Sequence, residues 1–154
     1  MQQTQTVSEA EQAPRQRVLF LCTHNSARSQ MAQGLLTWLA PDRYEAFSAG
    51  TQATNVHRLA IQAMQEIGID LSDHTSKSLE VYRGQRFDLV VTVCASAREA
   101  CPFFPGAGRQ VHWEFADPSA VQGSDAERLA AFRHTRDLIL ARLKQWLATN
   151  DYTG

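Results

Sequence analysis

Val18-Leu19-Phe20-Leu21-Cys22-Thr23-His24-Asn25-Ser26-Ala27-Arg28-Ser29 is an apolar run that ends on a cysteine and continues into a short polar segment. Beyond it Met31, Leu35, Leu36 and Leu39 recur at helical spacing. The pattern predicts a strand, an anion-binding loop and a helix. Where a strand passes to a helix through a tight turn, successive backbone N–H groups converge on one point. The unpaired N–H groups of the helix start face the same way, and the result is a concave positive site for an oxyanion.

Cys22 stands at the base of that predicted site. The helix terminus and Arg28 both favour its thiolate, the nucleophilic form. Arg28 offers a planar fork of donors that can hold two oxyanion oxygens at once. The backbone of Thr23, His24, Asn25, Ser26, Ala27, Arg28 and Ser29 is expected to wrap the anion. Ser29 can donate to the sulfur, and Asn25 tolerates the left-handed conformation that such a curl demands. The competing reading is a strand-end cysteine buried in a core, with an arginine six positions on by chance. Asp117-Pro118 late in the chain favours the first reading by supplying an acid, although Asp-Pro pairs are also common turn formers.

The surrounding sequence is that of a single globular domain. The chain has 154 residues, 44% hydrophobic and 20% charged, with a formal net charge of −1 that gives no pull toward nucleic acid or anionic membrane. Residues 1–16 are polar and read as a flexible tail; 17–150 read as one catalytic domain. No apolar stretch approaches the ~20 residues of a membrane span, and the N-terminus lacks the apolar core of a signal peptide. A cytoplasmic location is therefore expected, where cysteines are reduced, ligating or catalytic rather than stably bridged.

Tyr44 to Gly50 reads as a second strand, and Leu59, Ala60, Ala63, Met64 and Ile67 as the buried face of a helix ending at Gly68. Asp88 to Val93 reads as a buried strand and Gln110 to Phe115 as a shorter one. Ser124 caps a long final helix with Leu129, Phe132, Ile139, Leu143, Trp146 and Leu147 on or near one face. Strands alternating with helices predict an α/β fold, a small parallel sheet of four strands with helices on both faces and a crevice at the strand C-termini. Cys22, Cys94 and Asp117 all fall at or just after such ends. The tryptophans Trp38, Trp113 and Trp146 read as packing, and His57, His74, His112 and His134 as surface or structural residues.

Cys22-x5-Arg28-Ser29 after the first strand, with Asp117-Pro118 near the last helix, resembles the low-molecular-weight protein tyrosine phosphatases. Within that fold, Val91-Thr92-Val93-Cys94-x6-Cys101-Pro102 followed by His112-Trp113-x-Phe115-x-Asp117-Pro118 resembles the thioredoxin-coupled arsenate reductases. The resemblance runs from about Arg17 to Leu147. It implies arsenate as substrate, with phosphate or sulfate as mimics, and a relay through Cys22, Cys94 and Cys101. It also implies Asp117 as general acid, no bound cofactor and thioredoxin as external reductant. A monomer is expected, with neither nucleic acid nor membrane as partner.

Cys94 and Cys101 are seven positions apart, and Ala95 to Ala100 reads as a short helix. On an intact helix their Cα atoms would stand about 10 Å apart, whereas a disulfide needs ~7 Å or less, so oxidation of this pair would require unwinding. The histidines do not follow zinc spacings, and no metal is expected. Some reductases of the family hold potassium beside the loop, and the matching positions here are Asn25, Gln33, Ser48 and Lys77. The acids are gone, and the Lys77 ammonium is expected in place of the cation. Two other functions use the same residues. A phosphatase would use the same Cys/Arg/Asp site, but Ser119-Ala120 follow Asp117-Pro118 where aromatic residues would clasp a phenyl ring. A non-enzymatic arsenate-binding or redox-sensing regulator lacks any visible DNA-binding module.

Overall fold

The computed structural model describes residues 14–94 and 103–153. Cys101, Pro102, the helix expected over 95–100 and residues 1–13 of the expected tail lie outside the described residues. β1 (Gln16–Cys22) sits between β2 (Tyr44–Gly50) and β3 (Phe87–Thr92), and β4 (Ala107–His112) lies at the edge beyond β3. All three pairings are parallel, in the order β2-β1-β3-β4. A central parallel strand is covered on both faces, and that is why residues 18–22 are buried without a break.

One face of the sheet, with Val18, Phe20, Cys22, Leu89 and Val91, packs against α1 (Arg28–Leu39), α2 (Arg58–Gln65) and α3 (Asp125–Thr149). On the other face Leu19, Leu21 and Val90 lie under Tyr82, Phe87 and Phe104, with the 3-10 helix Leu79–Tyr82 as part of the cover. The Tyr82 and Phe87 rings meet edge to face with centroids 5.5 Å apart. α3 starts where the sequence predicts. The Ser124 hydroxyl accepts from Glu127 N and the Glu127 carboxylate accepts from Ser124 N, a reciprocal cap.

Several boundaries differ from the sequence reading. β1 begins at Gln16, assigned above to the tail, because Gln16 N donates to Arg43 O and the residue pairs with Tyr44. β3 starts one residue early. β4 spans 107–112 rather than 110–115, since its register is set by pairing Phe87 with Ala107 at an edge where most side chains are not buried and hydrophobicity carries little signal. A Cβ on Gly106 would sit 2.2 Å from Gln85 O, so this glycine serves close strand approach. α2 stops at Gln65, short of Gly68, whose φ of +86° completes the turn.

The fold also continues past residue 150. Asn150 takes a left-handed conformation that turns the chain back, Trp113 Nε1 donates to Tyr152 O, and Arg142 Nη2 donates to Asp151 O and Thr153 O. Trp113 and Trp146 are buried as expected, but Trp38 is 53% exposed and packs into no core. No helix among the described residues is long and apolar enough to cross a membrane.

α2 and α3 are joined by Glu66, which accepts from Arg133 through both oxygens and from Arg136, itself donating to Ala63 O. The hydrogen bond from Arg133 is the main reason the Glu66 carboxyl is held below its ordinary pKa, with Arg136 adding to it. A depressed carboxylate pKa contributes stability that is present above the unfolded pKa and lost as pH falls through the folded one. Glu66→Gln is therefore expected to lower Tm at neutral pH, with the difference from wild type shrinking as the pH is taken below ~4. Thermal melts across an acid pH series check it.

Candidate active site

The chain leaves β1 at Cys22 and enters α1 at Arg28 through a turn that only a few residue types can make. Asn25 has φ 51°, the left-handed conformation expected of it, and it is fully buried. Its side chain is fixed from three directions. Asn25 Oδ1 accepts from the backbone N–H of Lys77 at 2.8 Å and from Gln30 Nε2 at 2.9 Å, which leaves Nδ2 to donate to Ser29 Oγ at 2.8 Å. Ser29 Oγ accepts that hydrogen and lies 2.8 Å from Cys22 Sγ, so its own proton is available to the sulfur.

The direction of this chain of bonds is set further out by residues that sequence reading did not assign to the site. Gln30 Nε2 faces three acceptors, Asn25 O, Asn25 Oδ1 and Thr75 O, so its Oε1 is the atom that meets His74 Nδ1 at 3.0 Å, and the imidazole donates. Burial, with Lys77 adding to it, holds the His74 pKa below the usual imidazole value. Gln30 and His74 lie 44 positions apart, and no local pattern links them. Lys77 reaches Asn25 through its backbone, while its ammonium donates to Thr75 O. Gln33 Oε1 accepts from Ser48 Oγ at 2.5 Å. Among the described residues no group of three or more His, Cys, Asp or Glu side chains stands together in a way that could hold a metal ion.

The loop rests on β2. Thr23 O accepts from Gln52 N, Ser26 O from His57 N and His24 O from Ser76 Oγ. A Cβ on Gly50 would stand 2.6 Å from Thr23 O and 2.7 Å from Asn25 N, so the loop backbone occupies the space that any other residue would fill. The start of α1 has no side-chain cap and no acidic residue in its first turn. Its positive end is left for a ligand.

Arg28, the first residue of α1, is 3% exposed. Its Nη1 donates to Phe115 O at 3.2 Å and approaches Val93 O at 3.5 Å, while Nη2 lies 3.7 Å from Asp117 Oδ2. The guanidinium is thus anchored between the ends of two chain segments before any ligand arrives, as preorganised stabilisation requires. Asp117 Oδ1 accepts from both Ser119 N and Ser119 Oγ, capping the 3-10 helix Pro118–Ala120. Asp117 forms the expected turn through Oδ1, and the residue also lines the pocket with Cys22, His24, Ser26, Ala27 and Arg28. This pocket measures about 80 Å³, far below the ~300–1,000 Å³ of sites that enclose drug-sized molecules.

Cys94 is fully buried just beyond β3. Leu21 pairs with Thr92, and Val93 N donates to Leu21 O. Cys22 therefore closes β1, and Cys94 lies two residues past the end of the adjacent parallel strand β3. Cys101 lies outside the described residues.

The model of the low molecular weight phosphotyrosine protein phosphatase family matches residues 17–152. The chain belongs to that family. Within it, a Halalkalibacterium halodurans protein named arsenate reductase is 44% identical over 132 residues, spanning 86% of this chain and 95% of its own. A solved arsenate reductase in the phosphate binding state superposes with a TM-score of 0.70 at 29% identity, covering 86% of this chain and 97% of its own. A Corynebacterium glutamicum thioredoxin-dependent arsenate reductase gives a TM-score of 0.61 at 29% identity, over 92% of this chain and 67% of its own.

The central strand β1 delivers the loop, and the space that the loop occupies depends on Gly50. Gly50→Ala is expected to displace residues 23–25, to destabilise the protein by about 1–3 kcal/mol and to weaken sulfate binding to the loop. Denaturant unfolding and a sulfate titration of the variant check both.

Proposed function

We propose that this chain reduces arsenate to arsenite by a three-thiol relay and is reset by thioredoxin in the cytoplasm. The observation that carries the proposal is a second buried thiol, Cys94, two residues past the strand that neighbours β1, while Cys22 at the end of β1 lines a small pocket with Arg28 and Asp117. A phosphatase would need only Cys22. The names of the related proteins support the same reading.

In this reading the steps follow from the chemistry of these groups. Arsenate, a tetrahedral oxyanion, is bound by the loop N–H groups and Arg28. The Cys22 thiolate attacks arsenic, and Asp117 gives a proton to the departing oxygen, which leaves as water. Cys94, as thiolate, attacks the Cys22 sulfur. The sulfur–arsenic bonding pair passes to arsenic, which goes from As(V) to As(III) and leaves as arsenite. A Cys22–Cys94 disulfide remains. Cys101 attacks Cys94 and frees the Cys22 thiolate, and the Cys94–Cys101 disulfide is reduced by an external dithiol. The protein's two thiols supply the two electrons, and thioredoxin returns them.

Cys22→Ser and Arg28→Ala are each expected to lose steady-state turnover by at least ~100-fold, the scale on which removal of a nucleophile or an oxyanion donor acts. The downstream thiols should fail differently. Cys94→Ser is expected to hold arsenic on Cys22 without reducing it, and Cys101→Ser to make one equivalent of arsenite and stall with Cys22 and Cys94 joined. Mass spectrometry of peptides after a single arsenate pulse distinguishes these outcomes. Continued turnover of Cys101→Ser with thioredoxin would overturn the order of exchange.

A further inference from the structure

Beside the Cys22 pocket, and sharing Ser26 and Thr54 with it, lies a second and more open pocket of about 310 Å³. His57, Arg58 and Arg128 form its charged wall. His57 opens α2: its Nδ1 accepts the backbone N–H of Leu59 at 3.1 Å, so the hydrogen of the neutral ring sits on Nε2. Nη2 of Arg128, which can only donate, stands 3.4 Å from that same Nε2. Two hydrogens face one another and neither nitrogen can accept. Protonating the ring does not relieve this, because Nε2 stays a donor and Nδ1 becomes one against Leu59 N–H.

An acceptor placed in the pocket would take both hydrogens. The local charge requires that acceptor to be anionic. Asp125 is the acidic neighbour of both arginines, 3.0 and 3.1 Å from Arg58 Nη2 and 3.8 Å from Arg128 Nη1, so one carboxylate faces two guanidiniums. Burial and then the two arginines hold the His57 pKa below the usual imidazole range, with Asp117 acting in the opposite sense. The field at the ring is positive, and the imidazole is neutral in the tautomer that donates into the pocket.

We propose that the pocket walled by His57, Arg58 and Arg128 is a second oxyanion subsite, which holds an inorganic tetrahedral oxyanion beside the Cys22 loop. An anion there accepts from His57 Nε2 and from both guanidiniums, and removes the opposition of donors. Because the two pockets share Ser26 and Thr54, an anion held in the subsite stands next to the loop and raises the local concentration of substrate beside it. It needs no chemistry at Cys22, so it stands or falls separately from the thiol relay.

Sulfate titration of the full chain, followed by amide and arginine side-chain NMR at constant ionic strength, tests the assignment. Two saturable responses are expected, one in the amides of residues 23–29 and one in Leu59 N–H with the guanidinium signals of Arg58 and Arg128. Arg58→Gln removes a side chain that is 62% exposed and whose ion-pair partner Asp125 is 67% exposed, so the fold is expected to tolerate it. It should weaken the second response about tenfold, the effect of losing one charge-assisted hydrogen bond, while leaving the first in place. Arg128→Gln should do the same. The assignment is overturned if Leu59 and Arg128 fail to respond saturably. It is equally overturned if their response follows the loop with one shared Kd in wild type and variants alike.

Discussion

The left-handed turn at Asn25 is the constraint on which the site depends. Without it the chain could not leave a buried central strand and enter a helix while aiming its backbone N–H groups at one point. The turn is held by a chain of hydrogen bonds. A backbone N–H, which can only donate, fixes Asn25 Oδ1; that fixes Nδ2 toward Ser29, whose hydroxyl also meets the Cys22 sulfur. Gln30 and His74 enforce the same polarity from the far side. Buried polar networks are costly unless every member is satisfied, and this one is closed over the residues that matter for Cys22.

A second constraint is the register of β1 with β3. Pairing Leu21 with Thr92 brings the chain beyond β3 to the same edge as the loop. Arg28 then binds that edge together by donating to Phe115 O and approaching Val93 O. Cys22, Cys94, Arg28 and Asp117 are brought to one edge of the sheet by the ends of its strands, not by proximity in sequence, as parallel sheets generally place their sites.

That division explains what could be read from the residues alone. The central strand, the loop, β2 and the cap of α3 were legible because each has a strong local cause: a continuous apolar run, an asparagine at a curl, a Ser-x-x-Glu start. The edge strand β4 was misplaced by three residues because its side chains are largely exposed and its register comes from pairing with β3. Among site residues, Cys22, Arg28, Ser29, Asn25 and Asp117 lie together as expected, and Cys94 lies just past the neighbouring strand. Gln30, His74 and the Lys77 backbone amide were not legible, since their role arises from contacts across some 45 to 50 positions. His57 was read as structural. It does cap α2, but its other nitrogen faces a pocket that only the folded chain creates.

The Cys22 pocket has the size of a small oxyanion, and the second buried thiol, Cys94, past the neighbouring strand is a group that ester hydrolysis would not need. The most direct measurement is arsenite formation by the purified full chain with arsenate, thioredoxin, thioredoxin reductase and NADPH. The account predicts arsenite appearing mole for mole with NADPH oxidised, no more than one equivalent per protein when thioredoxin is omitted, and none when Cys94 is replaced by serine. Equal arsenite production by Cys94→Ser, or hydrolysis of an aryl phosphate with no arsenite formed at all, would contradict it.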